Sequence, residues 1–291
     1  MIEEIAIQYA NLSETIIRLI GFGFVFLGAL IATLANGGDG KLGRSPFFAY
    51  VGFAILFLSI TQLAWLNLWP AFSGGYLWVL MLVDIGAGLM AGYFLGIVAA
   101  ARSRDAFGHG RAAFLIFVPV ANLFLLFAPS LTIEVTQSTS TEHIFSGGRG
   151  VLFGLVALAG VAAIRAQLEG QVQQETSGAQ SQQASVEFMI RANGLESGLQ
   201  TVASKMTVGR VDELTEVTDI SVDGSTLRMT FMASGEAAGL REVLRDQLVS
   251  NTCNKRALQP FLESGATFEY LYLREDQSVI GVVSISKNSC I

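Results

Sequence analysis

The chain alternates between long uncharged stretches and short polar connections over its first 165 residues, and it becomes polar beyond them. The stretches without any Asp, Glu, Lys or Arg are residues 19–38, 45–83, 85–101, 112–130 and 150–164. Their apolar positions do not alternate as they would in a strand. Because hydrocarbon cannot solvate backbone N–H and C=O groups, a spanning segment is helical, and it needs about 20 apolar residues. The pattern therefore predicts membrane-spanning helices.

Four segments are long enough to cross a membrane as helices, and a fifth is marginal. The five cover residues 19–36, 46–66, 76–101, 112–130 and 148–164. The strictly apolar part of the fifth is only residues 151–164, and so short a run is often re-entrant or interfacial. The predicted fold class is a membrane all-α helical bundle of four or five transmembrane helices over residues 19–165, followed by a small α+β soluble domain.

Three further regions flank the predicted membrane helices. Residues 1–18 have apolar side chains at helical spacing and predict an amphipathic helix, which lies on the membrane surface or extends the first membrane helix. Residues 166–186 are rich in Gln, Ser, Glu and Gly, which is typical of a polar stalk or linker. Residues 187–291 carry two strand–turn–strand patterns, one turning at Asp223-Gly224, and helical apolar spacing, so they predict an α+β domain.

Lys and Arg concentrate in the connections after the first and third segments, and cytoplasmic connections carry such an excess. The predicted cytoplasmic anchors are Lys41, Arg44, Arg102, Arg104 and Arg111. The opposite side carries Arg18 and Arg149 together with the three tryptophans. The N-terminus and residues 131–147 should face outward. The C-terminal domain is then cytoplasmic if residues 148–164 span the membrane.

The chain has two cysteines, Cys253 and Cys290, which bracket the last predicted hairpin. This arrangement is typical of a disulfide, which needs an oxidising compartment. Two unpaired thiols are the alternative. An oxidising compartment lies outside the cytoplasm, so the cysteines favour an outward-facing C-terminal domain and a fifth segment that does not cross.

The composition excludes several classes of chemistry. Charged residues make up 14% of the chain, against roughly 25% in soluble domains. A net charge of −6 and a pI near 5.0 exclude a nucleic-acid partner. The two histidines, His109 and His143, fall on connections predicted to face opposite sides, and no Cys or His pair has the spacing of metal ligands. We expect no metal and no cofactor.

Asp84 lies inside the third segment, and a carboxylate in hydrocarbon is costly enough to need a partner. Arg18 and Arg149 lie at the same predicted face and could pair with it. Asp84 then makes a structural ion pair or hydrogen bond, contacts a partner subunit, or carries protons or ions. Asn122 in the fourth segment and Gln62 in the second are intramembrane polar residues expected to hydrogen-bond neighbouring helices.

Small residues recur one turn apart on the third and fifth segments. Gly88, Gly92 and Gly96 form one such row, and Gly150 with Gly154 forms another. This spacing lets two helix backbones approach closely in a membrane. The glycines are packing positions, either within the bundle or against a partner or a second copy.

Two stretches carry patterns of known families. Arg102, Asp105 and Gly108, followed by Pro119 and Asn122, give residues 102–123 a pattern that resembles small bacterial inner-membrane proteins of the DUF805 type. That resemblance implies a location and no activity.

The C-terminal part carries the second pattern. It combines Val211-Asp212-Glu213-Leu214, Cys253, Phe268-Glu269-Tyr270-Leu271-Tyr272 and Cys290. Residues 200–291 thereby resemble a two-cysteine extracytoplasmic domain family of unknown function. The resemblance implies a disulfide and an outward-facing domain, again without an activity.

These observations predict a bacterial inner-membrane protein without catalytic residues. Its predicted role is a non-catalytic accessory, scaffold or assembly subunit, whose partners are the lipid bilayer and a membrane protein or a second copy. The alternative is a component of a transporter or channel that uses Asp84. A membrane enzyme ranks third, because the helices offer too few polar residues at one depth.

Overall fold

The computed structural model describes residues 1–35, 40–118, 122–130, 145, 147–175, 179–234 and 242–290. The chain divides into two compact units, Met1–Gln173 and Gln174–Ile291. The first is helical throughout its described part, and the second combines helices with a sheet.

The first unit contains helices of very different lengths. In chain order they are α1 (Ile2–Ala10), α2 (Glu14–Ala35), α3 (Arg44–Gln62), a 3-10 helix (Leu63–Asn67), α4 (Leu68–Ser73), α5 (Leu77–Phe107), a second 3-10 helix (Gly110–Phe117), α6 (Asn122–Phe127) and α7 (Gly148–Glu175). Four stretches of the described chain are long and apolar enough to cross a membrane. These are Glu14–Ala35, Arg44–Ser73, Leu77–Phe107 and Gly148–Leu168. They contain the first, second, third and fifth predicted segments.

The fourth predicted segment, residues 112–130, is not one spanning helix, and that prediction is wrong. The 3-10 helix ends at Phe117, and Val118 is extended, with φ −97° and ψ 116°. The next helix in the described part of the chain is Asn122–Phe127. The physical reason is in the sequence, because the residue before a proline is pushed away from helical angles, and Pro119 follows Val118.

The fifth predicted segment is longer than its apolar run indicated. Helix α7 has 28 residues, because Gln, Glu, Leu and Ala continue the helix beyond residue 164 at little conformational cost. The third segment is also longer, since α5 has 31 residues and ends at Gly108, whose φ of 77° stops a helix without strain.

Helices α2 and α5 pack closely and run in the same chain direction. Along this interface Gly88 lies against Phe24, Gly92 against Val25 and Gly96 against Ala29. Helix α1 packs on α5 in the same direction. Its Glu3 contacts the start of α5, and its Tyr9 contacts Asp84. Helices α1 and α2 therefore pack along α5 one after the other, like a single helix that is interrupted at residues 11–13.

Helix α3 packs on α5 in the opposite direction. The Tyr50 ring lies 5.7 Å from that of Phe94, while the amide of Leu42, just before α3, donates to the carbonyl of Ala101. Helix α7 runs parallel to α3. Their matched positions are Ser45 with Gly150, Gly52 with Gly154 and Leu56 with Gly160. The starts of α3 and α7 and the end of α5 therefore lie at one end of the unit.

Helix α5 is the central helix of this unit. In its most apolar stretch 44% of the residues are buried, against 28% in that of Arg44–Ser73 and 17% in those of Glu14–Ala35 and Gly148–Leu168. We call the end where α3 and α7 begin the basic end, since it carries Lys41, Arg44, Arg104, Arg111 and Arg149. The other end is the aromatic end, with Trp65, Trp69, Tyr76 and Trp78.

The second unit is an α+β fold around a five-stranded sheet. Its helices are α8 (Ala179–Asn193), α9 (Leu195–Lys205), α10 (Glu242–Asn254) and α11 (Gln259–Glu263), and its strands are β1 (Gly209–Arg210), β2 (Thr215–Asp223), β3 (Thr226–Ala233), β4 (Thr267–Arg274) and β5 (Val279–Ile285). The strands lie in chain order, and only β3 and β4 are parallel. Both predicted hairpins are present, the first turning at Gly224 with φ 56°. Residues predicted as a stalk are helical where the structure describes them.

The two faces of the sheet differ. Helices cover one face, where Leu227, Phe261 and Phe268 are buried in a single apolar core. The register places Leu271 beside Val282 and Met232 beside Leu273 on the other face, where side chains of alternate residues meet. This open face carries an apolar strip, and half of the Val282 side chain is exposed.

Candidate functional site

Asp84 lies in the second turn of α5, where α1 packs against it. The hydroxyl of Tyr9 donates to Asp84 Oδ2 over 2.6 Å. Seven residues earlier on α5, the Glu3 carboxylate accepts the amides of Leu77 and Trp78 over 3.2 and 3.3 Å. A carboxylate on the free amides of a helix start is stabilised by the helix dipole. These contacts fasten α1 to α5 at two points, which we call the α1–α5 joint.

Tyr9 is nearly buried in this joint, and its ring stacks on Trp65 with centroids 6.1 Å apart. Burial raises the pKa of Tyr9 well above its usual range, and the hydrogen bond and the charge of Asp84 add to the increase. The hydroxyl therefore stays protonated and remains a donor to Asp84. Chemically, the joint is a hydrogen-bonded contact between two helices.

The structure corrects both predicted arginine partners of Asp84. Arg18 pairs with Glu14, one turn away on the exposed face of α2, over 2.5 Å. Arg149 starts α7 at the basic end, whereas Asp84 lies near the aromatic end. A tyrosine supplies the hydrogen bond that the sequence assigned to an arginine.

A second charged cluster lies at the basic end and is more deeply buried. The side chain of Arg102 is completely buried, and it forms an ion pair with Asp105. Its Nε donates to the carbonyl of Leu125 over 2.7 Å, and its Nη2 donates to the carbonyl of Ala128 over 2.5 Å. The hydroxyl of Ser130 completes the cluster by donating to Asp105 Oδ2 over 2.6 Å.

Arg102 was predicted only as a cytoplasmic anchor, and its burial was missed. The signal was present in the sequence, because Arg102 and Asp105 are three residues apart and so share one face of a helix. What the sequence does not contain is the return of the chain at Leu125–Ser130, which covers that face. A buried arginine needs several acceptors, and the cluster supplies them.

The other predicted anchors all lie at the basic end. Lys41, Arg44 and Arg111 are exposed, and Arg104 Nη1 donates to the carbonyl of Gly40 over 3.3 Å. Arg149 joins them there. The basic end is therefore more positive than the sequence predicted.

The two predicted intramembrane amides are both exposed. Gln62 ends α3 near the aromatic end, and Asn122 starts α6. In the described part of the chain, no side-chain hydrogen bond of either amide is present. They are not brought near Asp84.

The predicted packing glycines lie at helix contacts inside the first unit. A Cβ on Gly92 would come 1.9 Å from the Val25 carbonyl oxygen, and one on Gly96 would come 2.7 Å from the Ala29 oxygen. Gly150 and Gly154 lie against α3. These positions are occupied by the chain itself.

Cys253 and Cys290 form a disulfide, with Cα atoms 5.4 Å apart. It ties the end of α10 to the segment after β5. Among the described residues, no three His, Cys, Asp or Glu side chains are grouped as a metal site. His143 lies outside the described residues.

No family model and no curated protein matches the chain. Two solved structures are similar to part of it. A protein of Pseudomonas aeruginosa described as secreted is 19% identical over 33% of this chain and 93% of its own, with a TM-score of 0.31. The pilotin of the Vibrio vulnificus type 2 secretion system is 14% identical over 38% of this chain and 96% of its own, with a TM-score of 0.29. Scores this low support no argument about function, and both family resemblances stay predictions.

Proposed function

We propose that the chain is a bacterial inner-membrane protein whose four apolar helices anchor the second unit on the periplasmic side. In this proposal it acts as a non-catalytic accessory, scaffold or assembly subunit of a membrane complex. The observation that carries the proposal is that α3 and α7 begin at the same end of the helical unit.

The helix directions support a periplasmic side for the C-terminal unit. Helix α7 starts at the basic end and runs parallel to α3, so the chain leaves the four helices at the aromatic end. Lys and Arg favour the cytoplasmic face. The basic end carries Lys41, Arg44, Arg104, Arg111 and Arg149, whereas the aromatic end carries Arg18 and Arg165. The second unit then lies outside the cytoplasm.

The disulfide supports the same side. Cys253 and Cys290 are bonded, and disulfides persist in oxidising compartments such as the periplasm. In the sequence analysis, the positive charges and the cysteines predicted opposite sides for the C-terminal domain if residues 148–164 cross. The conflict arose because residues 112–130 were counted as a crossing. With that crossing removed and α7 added, charges and cysteines agree.

The second unit offers a surface for protein contacts. Its open sheet face carries Met232, Leu271, Leu273 and Val282, with an ion pair of Arg228 and Glu269 at 2.5 Å beside them. Met232, Leu271 and Leu273 are half-buried and Val282 is exposed, and a partly exposed apolar strip bordered by polar groups is typical of a protein contact. We assign it to the periplasmic part of a partner membrane protein.

The proposal is tested by native purification of the full chain in mild detergent, with substitutions on each face of the second unit. Val282→Asp puts a charge in the apolar strip and should release the partner. Gln200→Asp puts the same charge on the exposed surface of α9, on the helix-covered side, and should leave the complex intact.

The two variants decide the outcome together. A complex of fixed stoichiometry that is lost with Val282→Asp and kept with Gln200→Asp supports the proposal. A wild-type chain that purifies alone as a monodisperse monomer contradicts the assembly role.

The alternative use of Asp84 in transport is tested separately. At the helix spacing seen along α2 and α5, Asp84 lies level with Ile17 and Arg18, where the charge-free part of α2 begins. A carboxylate at that level and bonded to Tyr9 is placed for a structural contact. In proteoliposomes, ion or solute flux that disappears with Asp84→Asn would favour the transport role.

A further inference from the structure

The segment between α5 and α7 enters the helical unit from the basic end. Gly110 lies beside the Arg104 side chain, at the end of α5. Three residues on, Ala113 packs against Ala99 and Ala100. The Phe117 ring then reaches α2, with centroids 6.0 Å from Phe22 and 5.3 Å from Phe26. The 3-10 helix therefore runs back along α5, away from the basic end. We call it the entering limb.

The chain returns to the basic end by way of α6. The amide of Asn122 donates to the carbonyl of Val118 over 3.0 Å, which joins the two limbs at the tip. Leu125 is fully buried against Phe47 and Val98. Three and five residues later, Ala128 and Ser130 reach Arg102 and Asp105. Residues 122–130 are the returning limb.

The depth of the tip follows from its contacts along α5. The uncharged part of α5, residues 85–101, is 17 residues long, or about 25 Å at 1.5 Å per residue. Phe22 and Phe26 flank Val25, which lies against Gly92. Gly92 is nine residues, or about 13 Å, from Ala101. Phe117 therefore reaches about half the depth of the apolar layer.

We propose that residues 109–118 and 122–130 are the two limbs of a re-entrant hairpin, which enters the bilayer from the basic, cytoplasmic face and returns to the same face. The Asn122–Val118 hydrogen bond joins the limbs near the middle of the bilayer. We further propose that the buried Arg102–Asp105 pair is the latch that holds the returning limb. The hairpin rests on the membrane placement proposed above.

The latch has a clear physical basis. A buried guanidinium must have its donors satisfied, and the acceptors of Arg102 include two carbonyls at the end of the returning limb. Asp105 compensates the charge and accepts from Ser130 at the end of that limb. If the limb moved away, the arginine would lose these partners while still buried in an apolar setting. The cluster therefore resists release of the limb.

The hairpin puts Ser130 and Phe145, the two flanks of the following connection, at one face. Ser130 lies at the basic end, and so does Phe145, whose carbonyl accepts from the Ser45 hydroxyl over 3.0 Å. Residues 131–144 lie outside the described residues and were predicted to face outward. Their two flanks lie at the same, cytoplasmic, face.

Single cysteines test the hairpin in the full chain. The described part of the native chain has no free cysteine, so the added thiol is the reactive one. His109→Cys, Pro129→Cys and Ser73→Cys place an exposed thiol before the hairpin, after it and at the aromatic end. A membrane-impermeant maleimide is applied to spheroplasts and to inside-out vesicles.

The hairpin predicts that His109→Cys and Pro129→Cys react only in inside-out vesicles, and Ser73→Cys only in spheroplasts. Reaction of His109→Cys and Pro129→Cys from opposite sides would overturn the hairpin and restore a spanning helix. Reaction of Ser73→Cys and His109→Cys from the same side would instead overturn the membrane placement on which the proposed function depends.

A buried thiol tests the latch. Leu125→Cys lies inside the returning limb and should react slowly with a small maleimide while the latch is closed. Adding Asp105→Asn should speed the reaction at least tenfold, and so should the uncharged pair Arg102→Met with Asp105→Asn, which stays close to the volume of the cluster. Ser73→Cys in the same backgrounds controls for general unfolding. An unchanged rate at Leu125→Cys in both backgrounds would overturn the latch.

Discussion

At the scale of single residues, two charged side chains interrupt or border the apolar run of α5 and find different partners. Asp84 is half-buried and accepts one hydrogen bond from Tyr9. Arg102 is completely buried and needs an ion pair and two carbonyls. The difference follows from burial, since a charge that loses all of its water must replace it with protein groups.

The Tyr9–Asp84 bond predicts a small, local loss when it is removed. Tyr9→Phe deletes the donor and should lower the stability of the first unit by about 1 kcal/mol, a value reduced because Asp84 keeps some solvent. Asp84→Asn retains an acceptor and should change stability less. Thermal unfolding in detergent micelles measures both. A larger loss with Asp84→Asn than with Tyr9→Phe would show that the charge, and not the bond, is what matters.

Two tyrosines of the second unit predict how it responds to alkali. Burial raises the pKa of Tyr270 and of Tyr272, and the neighbouring Tyr270 and Asp212 raise that of Tyr272 further. A raised pKa in the fold means that this contribution to stability is complete below the ordinary tyrosine pKa of about 10 and is lost as the pH rises beyond it.

Tyr272→Phe removes one of these groups and should shift the midpoint of alkaline unfolding to higher pH. The transition of the full chain in detergent can be followed by near-UV circular dichroism. Tyr76→Phe changes an exposed ring in the first unit and serves as the control. A midpoint that is equal in wild type and Tyr272→Phe would contradict the assignment.

The sequence indicated which residues are unusual but not what they contact. Asp84 stands out because its neighbours are uncharged, yet Tyr9 lies 75 positions away and bears no mark of a partner. The disulfide was predictable to a greater extent, because there were only two cysteines and both bracket one hairpin. Predicting the latch would have required the path of the chain after Gly108, and no local sequence pattern contains that path.

At the scale of elements, apolar length predicted four helices that are long and apolar enough to cross a membrane, and it failed for one segment. Residues 112–130 are as apolar as the others, and the break lies where Pro119 forces Val118 into an extended conformation. Residues 148–164 looked short because the count stopped at Arg165, whereas helix propensity carries α7 to Glu175. Hydropathy shows whether a segment is soluble in lipid. Whether the segment can also cross as one helix depends on its backbone conformation.

The contact of α2 with α5 predicts a sharp difference between two glycines of one helix. A Cβ on Gly92 would overlap the Val25 carbonyl, and the two backbones would have to separate. Gly92→Ala should therefore destabilise the first unit by about 1–3 kcal/mol. Gly86 has open space at its Cβ position, so Gly86→Ala should be neutral or stabilising by up to about 1 kcal/mol.

Thermal unfolding in nanodiscs distinguishes the two substitutions, because both add one methyl group to the same helix. Equal melting temperatures for Gly92→Ala and Gly86→Ala would contradict the close packing of α2 on α5. A shift confined to Gly92→Ala would show that the glycine row is used within the chain.

At the scale of the whole molecule, the helix directions and the cysteine chemistry both bear on which side of the membrane the second unit occupies. In the proposed placement, four crossings with α7 leaving at the aromatic end would put the second unit on the same side of the membrane as the N-terminus. Only on the periplasmic side would Cys253 and Cys290 be oxidised by the compartment. The five-crossing arrangement that the sequence allowed would put them among cytoplasmic thiol reductants.

The redox state of the two cysteines in cells therefore tests the whole arrangement. In intact spheroplasts, an impermeant maleimide should label the chain only after an impermeant reductant has opened the bond, because both cysteines are outside and oxidised. Arg111→Cys, on an exposed position at the basic end, should remain unlabelled in the same cells. Labelling of Cys253 or Cys290 without reductant, or only after lysis, would contradict the periplasmic placement.

The disulfide also predicts a loss of stability when it is removed. The bond joins residues 37 positions apart, so Cys253→Ser should lower the free energy of unfolding of the second unit by about 4 kcal/mol, measured by denaturant unfolding.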